Sequence, residues 1–154
     1  MDSQDRRLAR IIARFAHVAD LFAKLSSRPY DFGTDERLYR SEIHVIEAIG
    51  RGRSRTVTEL GTSFGITKGA VSQVVSKLDA KGYITKERNP EYSKELLLSL
   101  SEKGRAAFEA HEALHAKISE DFFSEVGPVS DEEFDAFERL LGFAERYIEK
   151  AAEW

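Results

Sequence analysis

From Leu8 the apolar positions fall at Leu8, Ile11, Ile12, Phe15, Val18, Phe22 and Leu25. Steps of three and four place them on one face of a long helix. The same spacing returns near the far end in Phe134, Phe137, Leu141, Ala144, Ile148 and Ala151, widened by Leu140, Phe143, Tyr147 and Trp154. This second helix has a marked start after Pro128: Ser130 and Glu133 have the spacing of a capping box, and Val129 and Phe134 that of a hydrophobic staple. Two terminal helices this apolar carry more surface than a small middle segment covers. They predict a partner helix, most economically from a second copy of the chain; an intramolecular bundle is the competing expectation.

The middle of the chain is punctuated more closely. Ile43, Val45, Ile46 and Ile49 predict a helix over 42–49 that stops at Gly50, followed by the basic loop Arg51, Gly52, Arg53, Ser54, Arg55. Thr56 with Glu59 forms a second capping box, opening a short helix through Leu60 and Phe64 that ends at Gly65. After a turn at Gly65 and Ile66, Thr67 caps a helix running to about Lys81, with Gly82 as its stop. Helix, tight turn and helix follow one another. Residues 83–86 and 96–100 then read as two strands of a hairpin joined by a polar, Pro-containing loop. A last long helix starts near Ser101, carries Phe108, Leu114, Ile118 and Phe122, and breaks at Gly127 and Pro128. The fold class expected is mainly α with a small β element (α+β).

Charge changes the picture. The chain of 154 residues has a formal net charge of −4, yet residues 51–94 carry 9 basic and 4 acidic side chains, net +5, while residues 95–154 carry 6 and 15, net −9. A basic middle on an acidic chain is the footprint of a protein that lays one face on a polyanion. In the helix after the turn, Ala70, Val71, Val74, Val75 and Leu78 form the inward stripe expected to pack on Leu60 and Phe64. The opposite face presents Lys68, Gly69, Ser72, Gln73, Ser76 and Lys77. Small residues let a helix enter the major groove, Ser and Gln hydrogen-bond base edges, and Lys meets phosphates. An ordinary solvated face would more often carry Glu and Lys pairs. The hairpin adds Lys86 and Arg88 on one arm and Lys94 beyond the tip, as a wing lying along phosphates or reaching into the minor groove would.

These stretches together, SEIHVIEAIG, TVTELGTSFGITKGAVSQVVSKLDAKGYITKERN and LLLSLSEKG, resemble the MarR-type winged helix-turn-helix transcription regulators. The similarity covers roughly residues 36–122 by motif; the flanking helices match by pattern only. The resemblance implies a homodimer with a DNA-binding lobe over 36–100 and helical dimerisation segments over 1–30 and 101–154, all within one domain of 1–154. It further implies a pseudo-palindromic double-stranded operator, usually repression, and a small effector that alters the spacing of the recognition helices. On that reading Thr67, Lys68, Gly69, Ser72, Gln73, Ser76 and Lys77 engage the major groove. Arg53, Arg55, Lys86 and Lys94 meet phosphates, and Arg88 makes the wing contact. Many members carry an Asp-x-Arg element in the wing; Tyr92, Ser93 and Lys94 stand there in this chain, and lysine lacks the guanidinium fork, which favours Arg88 as the minor-groove reader. The reading from another class is a winged-helix protein-interaction module that never touches DNA.

Other chemistries are excluded or weaker. The absence of cysteine removes disulfides, thiolate metal sites and a thiol nucleophile. No phosphate-cradling loop or nucleophile elbow is present, and no enzyme activity is expected. No apolar run reaches the roughly 20 residues that cross a bilayer, and the N-terminus lacks a signal-peptide core, so a soluble cytoplasmic protein is expected. His111 and His115, four residues apart, share a helical face in line with Phe108, Ile118 and Phe122, which predicts a partly buried pair able to meet one metal ion. Zinc-sensing members of the resembled family use a closely similar pair with a histidine from the helix before the helix-turn-helix, to which His44 is similar in position. Asp31, Asp35 and Glu42 are the carboxylates considered beside them. The competing reading is polar residues lining a junction or an organic-effector pocket; no motif requires a cofactor, and the resemblance admits zinc.

Overall fold

The computed structural model describes residues 3–52, 56–90, 92 and 95–151. The elements run α1 (Ser3–Ser26), α2 (Arg40–Gly50), α3 (Val57–Phe64), α4 (Lys68–Ala80), β1 (Ile84–Arg88), β2 (Leu96–Leu100), α5 (Glu102–Val126) and α6 (Asp131–Ala151). The chain forms two compact units that divide within α5, between Ala113 and Leu114.

The core of the first unit gathers Leu38, Ile43, Ile46, Leu60, Val71, Leu78, Tyr83, Ile84, Leu98 and Ala107. Val71, Val75 and Leu78 supply the buried stripe of α4. Ala70 is exposed and Phe64 is 36% exposed, which corrects the expectation that both pack inward: on the two-turn α3 it is Leu60 that is buried, with Val57 packed against the core, while Phe64 lines the rim of a cavity with Val71 and Val74. β1 begins one residue later than the pattern suggests and extends to Arg88, pairing antiparallel with β2 so that Lys86 faces Leu98 and Arg88 faces Leu96. Tyr83, expected to open the strand, is instead a fully buried core residue.

Tyr83 gathers the contacts at the base of the hairpin. Its hydroxyl lies 2.6 Å from Thr34 Oγ1, and the Lys103 ammonium sits 4.4 Å from its ring centroid. Ser101 Oγ donates to the Gly82 carbonyl at 2.6 Å and accepts from Gly104 N–H at 3.0 Å, capping α5. Lys103 also donates to the Lys81 carbonyl at 2.9 Å and pairs with Asp35 at 2.6 Å. The hydrogen bond from Lys103 holds the Asp35 carboxyl below its ordinary range. That pair therefore survives above the usual carboxylate titration and is lost only as the pH falls through the lowered value. The segment carrying Thr34 and Asp35 is closed by a β-bridge in which Tyr30 and Leu38 exchange two backbone hydrogen bonds of 2.9 Å.

Glu42 is 3% exposed. One carboxylate oxygen accepts Lys81 Nζ at 2.7 Å and the other accepts the Tyr39 N–H at 2.8 Å, starting α2 at Arg40. Lys81→Met strands a buried carboxylate with a backbone N–H alone. The expected cost is about 3 kcal/mol, the low end for a broken buried pair because Lys81 reaches solvent, read as a lowered urea midpoint at unchanged slope. A midpoint matching the parent would show that the pair contributes nothing.

In the second unit the expected capping box opens α6: Ser130 N–H donates to Glu133 Oε2 at 2.9 Å, and Glu133 N–H to Ser130 Oγ at 3.3 Å. Phe123 meets Phe134 edge-on at 6.4 Å. The stripe of α6 stays open, with Phe137, Leu140 and Phe143 each above 60% exposed. In the first unit α1 buries no residue.

Candidate nucleic-acid interface

The helix-turn-helix is shaped by α3, its turn and α4. Thr56 Oγ1 accepts the Glu59 N–H at 3.1 Å while Glu59 accepts the Thr56 N–H at 2.9 Å, fixing the start of α3. Gly65 ends it in the left-handed region at φ 63°, a conformation that costs other residues 1 kcal/mol or more. The chain then turns back so closely that a side chain at Gly61 would stand 3.2 Å from the Ile66 carbonyl oxygen. Thr67 Oγ1 accepts the Ala70 N–H at 3.3 Å and opens α4.

Lys68, Gly69, Ser72, Gln73, Ser76 and Lys77 are all exposed on α4, with Thr67 at its cap. Asp79, the nearest acid on this helix, is engaged: its carboxylate accepts Lys86 Nζ at 2.8 Å. That bond ties the first strand of the hairpin to the helix and spends the Lys86 ammonium on a carboxylate. Arg88 is exposed at the end of β1. Arg53, Arg55 and Lys94 lie outside the described residues. At the hairpin tip Asn89 Nδ2 donates to Glu95 Oε2 at 2.8 Å, and the Asn89 and Glu95 N–H groups close the turn on Glu95 and Tyr92 carbonyls. An open groove of about 460 Å³ between hairpin and helices is lined by Thr58, Lys68, Ser72, Tyr92 and Glu95. Tyr92, 66% exposed, lines this groove with Lys68, a role that the wing motif does not assign to it. An aromatic next to a lysine of the presented helix face is the signal that marks it.

Behind the helix-turn-helix, His44 of α2 and His111 of α5 place their rings 6.0 Å apart. His111 is 4% exposed and held edge-on by Phe32 at 5.6 Å. Glu47 joins them: one donor atom from each of His44, Glu47 and His111 lies within 4.8 Å of the others. His115, expected to be partly buried with His111, is exposed and belongs to the second unit, since the stripe it shares with Ile118 and Phe122 is itself open. The carboxylates considered from sequence are engaged elsewhere, Asp31 with the Gly33 N–H, Asp35 with Lys103 and Glu42 with Lys81. Two imidazoles and one carboxylate are a donor set that suits zinc, and the half-buried setting fits such an ion. His44 also lines a cavity of about 270 Å³ with Val71 and Val74 of α4.

Comparison with known proteins accords with this geometry. Residues 38–92 match the model of the MarR family. Over 126 residues the chain is 27% identical to an HTH-type transcriptional regulator of Bacillus subtilis (strain 168), YhjH, covering 82% of this chain and 70% of that one. The fold is that of the zinc-responsive MarR family member ZitR of Lactococcus lactis, with a TM-score of 0.71 at 20% identity over 92% of this chain and 99% of the other. It is also that of FabT of Streptococcus pneumoniae, solved in complex with DNA, with a TM-score of 0.68 at 21% identity over 95% and 98% of the two chains. A cationic, acid-free face presented by a winged helix-turn-helix suits a DNA groove, and the relatives the chain resembles are HTH-type transcriptional regulators. Over residues 38–92 the chain is similar to the MarR family, and its fold is that of solved MarR family members. Among the described residues no helix is long and apolar enough to cross a membrane.

Proposed function

We propose that the chain works in the cytoplasm as a homodimeric repressor, each copy placing α4 in the major groove of one half of an inverted-repeat operator. The observation that carries this reading is the exposed face of α4, on which Ser72, Gln73 and Ser76 stand between Lys68 and Lys77 with no acid among them. Gln73 reads base edges, Ser72 and Ser76 support it, Thr67 and Gly69 let the helix end approach closely, and the lysines hold phosphates. Arg88 makes the wing contact, Arg53, Arg55 and Lys94 meet phosphates, and Tyr92 stacks against the sugar edge beside Lys68. Lys86 acts first as the brace between hairpin and α4. The lobe of 36–100 binds DNA, and segments 1–30 and 101–154 dimerise through the open stripes of α1 and α6. An effector then changes the match to two half-sites about 34 Å apart. Zinc at His44 and His111 is the effector this donor set favours.

Selection from a random duplex library at two salt concentrations tests the reading. An enriched inverted repeat, bound more weakly at high salt, is the expected result; binding with no sequence preference would overturn the operator assignment. Within the selected site, Gln73→Ala is expected to relax preference at one or two base pairs, by about 1–3 kcal/mol of discrimination. An unchanged base profile would remove Gln73 from the reading set.

A further inference from the structure

Two histidines alone make a weak metal site, so the identity of the carboxylate decides whether the cluster behind the helix-turn-helix holds an ion. Glu47 follows His44 by three residues on α2, which puts both on one side of the helix. Its Oε2 lies 3.9 Å from Nδ1 of His111. Donor atoms within 4.8 Å of one another need to close to about 3.4 Å, the edge of a tetrahedron with bonds near 2.1 Å. Rotation about side-chain bonds supplies that difference.

The other oxygen of the same carboxylate has an opposite commitment. Glu47 Oε1 is 3.2 Å from Arg51 Nη1, and Arg51 Nη2 reaches Glu112 Oε1 at 2.7 Å. Arg51 caps the C-terminal end of α2 and begins the basic loop that leads to α3. We propose that Glu47 is the carboxylate ligand of a zinc site completed by His44 and His111, and that zinc and Arg51 compete for it. The proposal rests on the zinc reading of the effector and adds the residue that transmits occupancy. A dication on Glu47 repels the guanidinium and draws the shared charge away from it. The Arg51 guanidinium then keeps its pair with Glu112 and its backbone N–H stays on the Glu47 carbonyl, so what the end of α2 loses is the side-chain tie between Arg51 and Glu47. By linkage, whatever weakens the Arg51 contact tightens zinc, and zinc weakens the Arg51 contact by the same factor.

Zinc titration of the purified full-length chain, by calorimetry and by competition with a chelator of known affinity, tests this. Thermal melts of each variant confirm the fold, and Glu109→Gln, an exposed carboxylate elsewhere on α5, serves as the control. The expected results are a parent Kd tighter than about 10 μM, at least roughly tenfold weaker binding in Glu47→Gln, and tighter binding in Arg51→Met. Should Glu47→Gln lower the melting temperature, Glu47→Asp keeps the charge but withdraws it by one methylene, and the same loss is expected. Cobalt substitution gives a second readout: the intense visible bands of a tetrahedral site in the parent are expected to weaken in Glu47→Gln. Parent-like affinity in folded Glu47→Gln would overturn the assignment of Glu47 and leave the zinc reading standing. Absence of zinc binding by the parent would overturn both. Weaker or unchanged binding in Arg51→Met would overturn the competition.

Discussion

Gly104→Ala is expected to lower the melting temperature by more than about 10 °C, corresponding to a loss beyond about 4 kcal/mol, the exceptional end of single-substitution effects. A Cβ at this position would stand 2.0 Å from the Tyr83 carbonyl oxygen and 3.0 Å from its carbonyl carbon. Neither atom is free to retreat. Tyr83 is fully buried, its N–H is bonded to the Leu78 carbonyl at 2.9 Å, and its carbonyl receives the Ser101 N–H at 3.1 Å. The first turn of α5 must move instead, which breaks the Ser101 cap and the Lys103 contacts in the same step. Gly142→Ala is the matched comparison. It lies inside α6, where an added Cβ meets only the far end of Arg146 at 3.4 Å, and a stabilisation of up to about 1 kcal/mol is expected from helix propensity. Calorimetry on the two variants decides the matter; a Gly104→Ala melt within a few degrees of the parent would contradict the close approach.

The second large effect concerns DNA. Reversing Lys68 and Lys77 to glutamate removes two phosphate contacts per copy, four per dimer. At 0.1 M salt each contact contributes about 0.9 of a decade through counterion release, so affinity is expected to fall on the order of 10³-fold or more for specific and random duplexes alike. The slope of log affinity against log salt should flatten by about 3 to 4. The two glutamates lie on the exposed face, so thermal stability should hardly change. A loss confined to the operator, with random-duplex binding intact, would mean that these lysines read sequence rather than charge.

What the residue pattern revealed and what it hid follow a physical division. Capping boxes at Thr56 and Ser130 and the left-handed stop at Gly65 are decided by residues within four positions of each other, and all three form as the sequence predicts. The presented face of α4 was equally plain, because helical period alone sorts Ser72 and Gln73 from Val71 and Val75. The bridge between Tyr30 and Leu38 could not be anticipated: a single pair of residues has no alternation to betray it. Tyr83 looked like a strand residue because nothing local says that α5 will pack its backbone against it. Glu47 was missed, and Asp31, Asp35 and Glu42 were offered in its place: its neighbour His111 arrives 64 positions later, and only the folded chain shows Glu42 turned to Lys81 and Asp35 to Lys103.

The twenty-four residues of α1 bury no side chain within their own chain, and Phe22 under Arg40 is among the few contacts near its end. Helices of this kind owe their persistence to whatever lies against them more than to their own hydrogen bonds. In the proposed homodimer, meeting the second copy and completing the fold become a single event. Dilution then acts as a denaturant, and the abundance of the protein in the cell sets the fraction that is built at all, before any operator or effector is encountered.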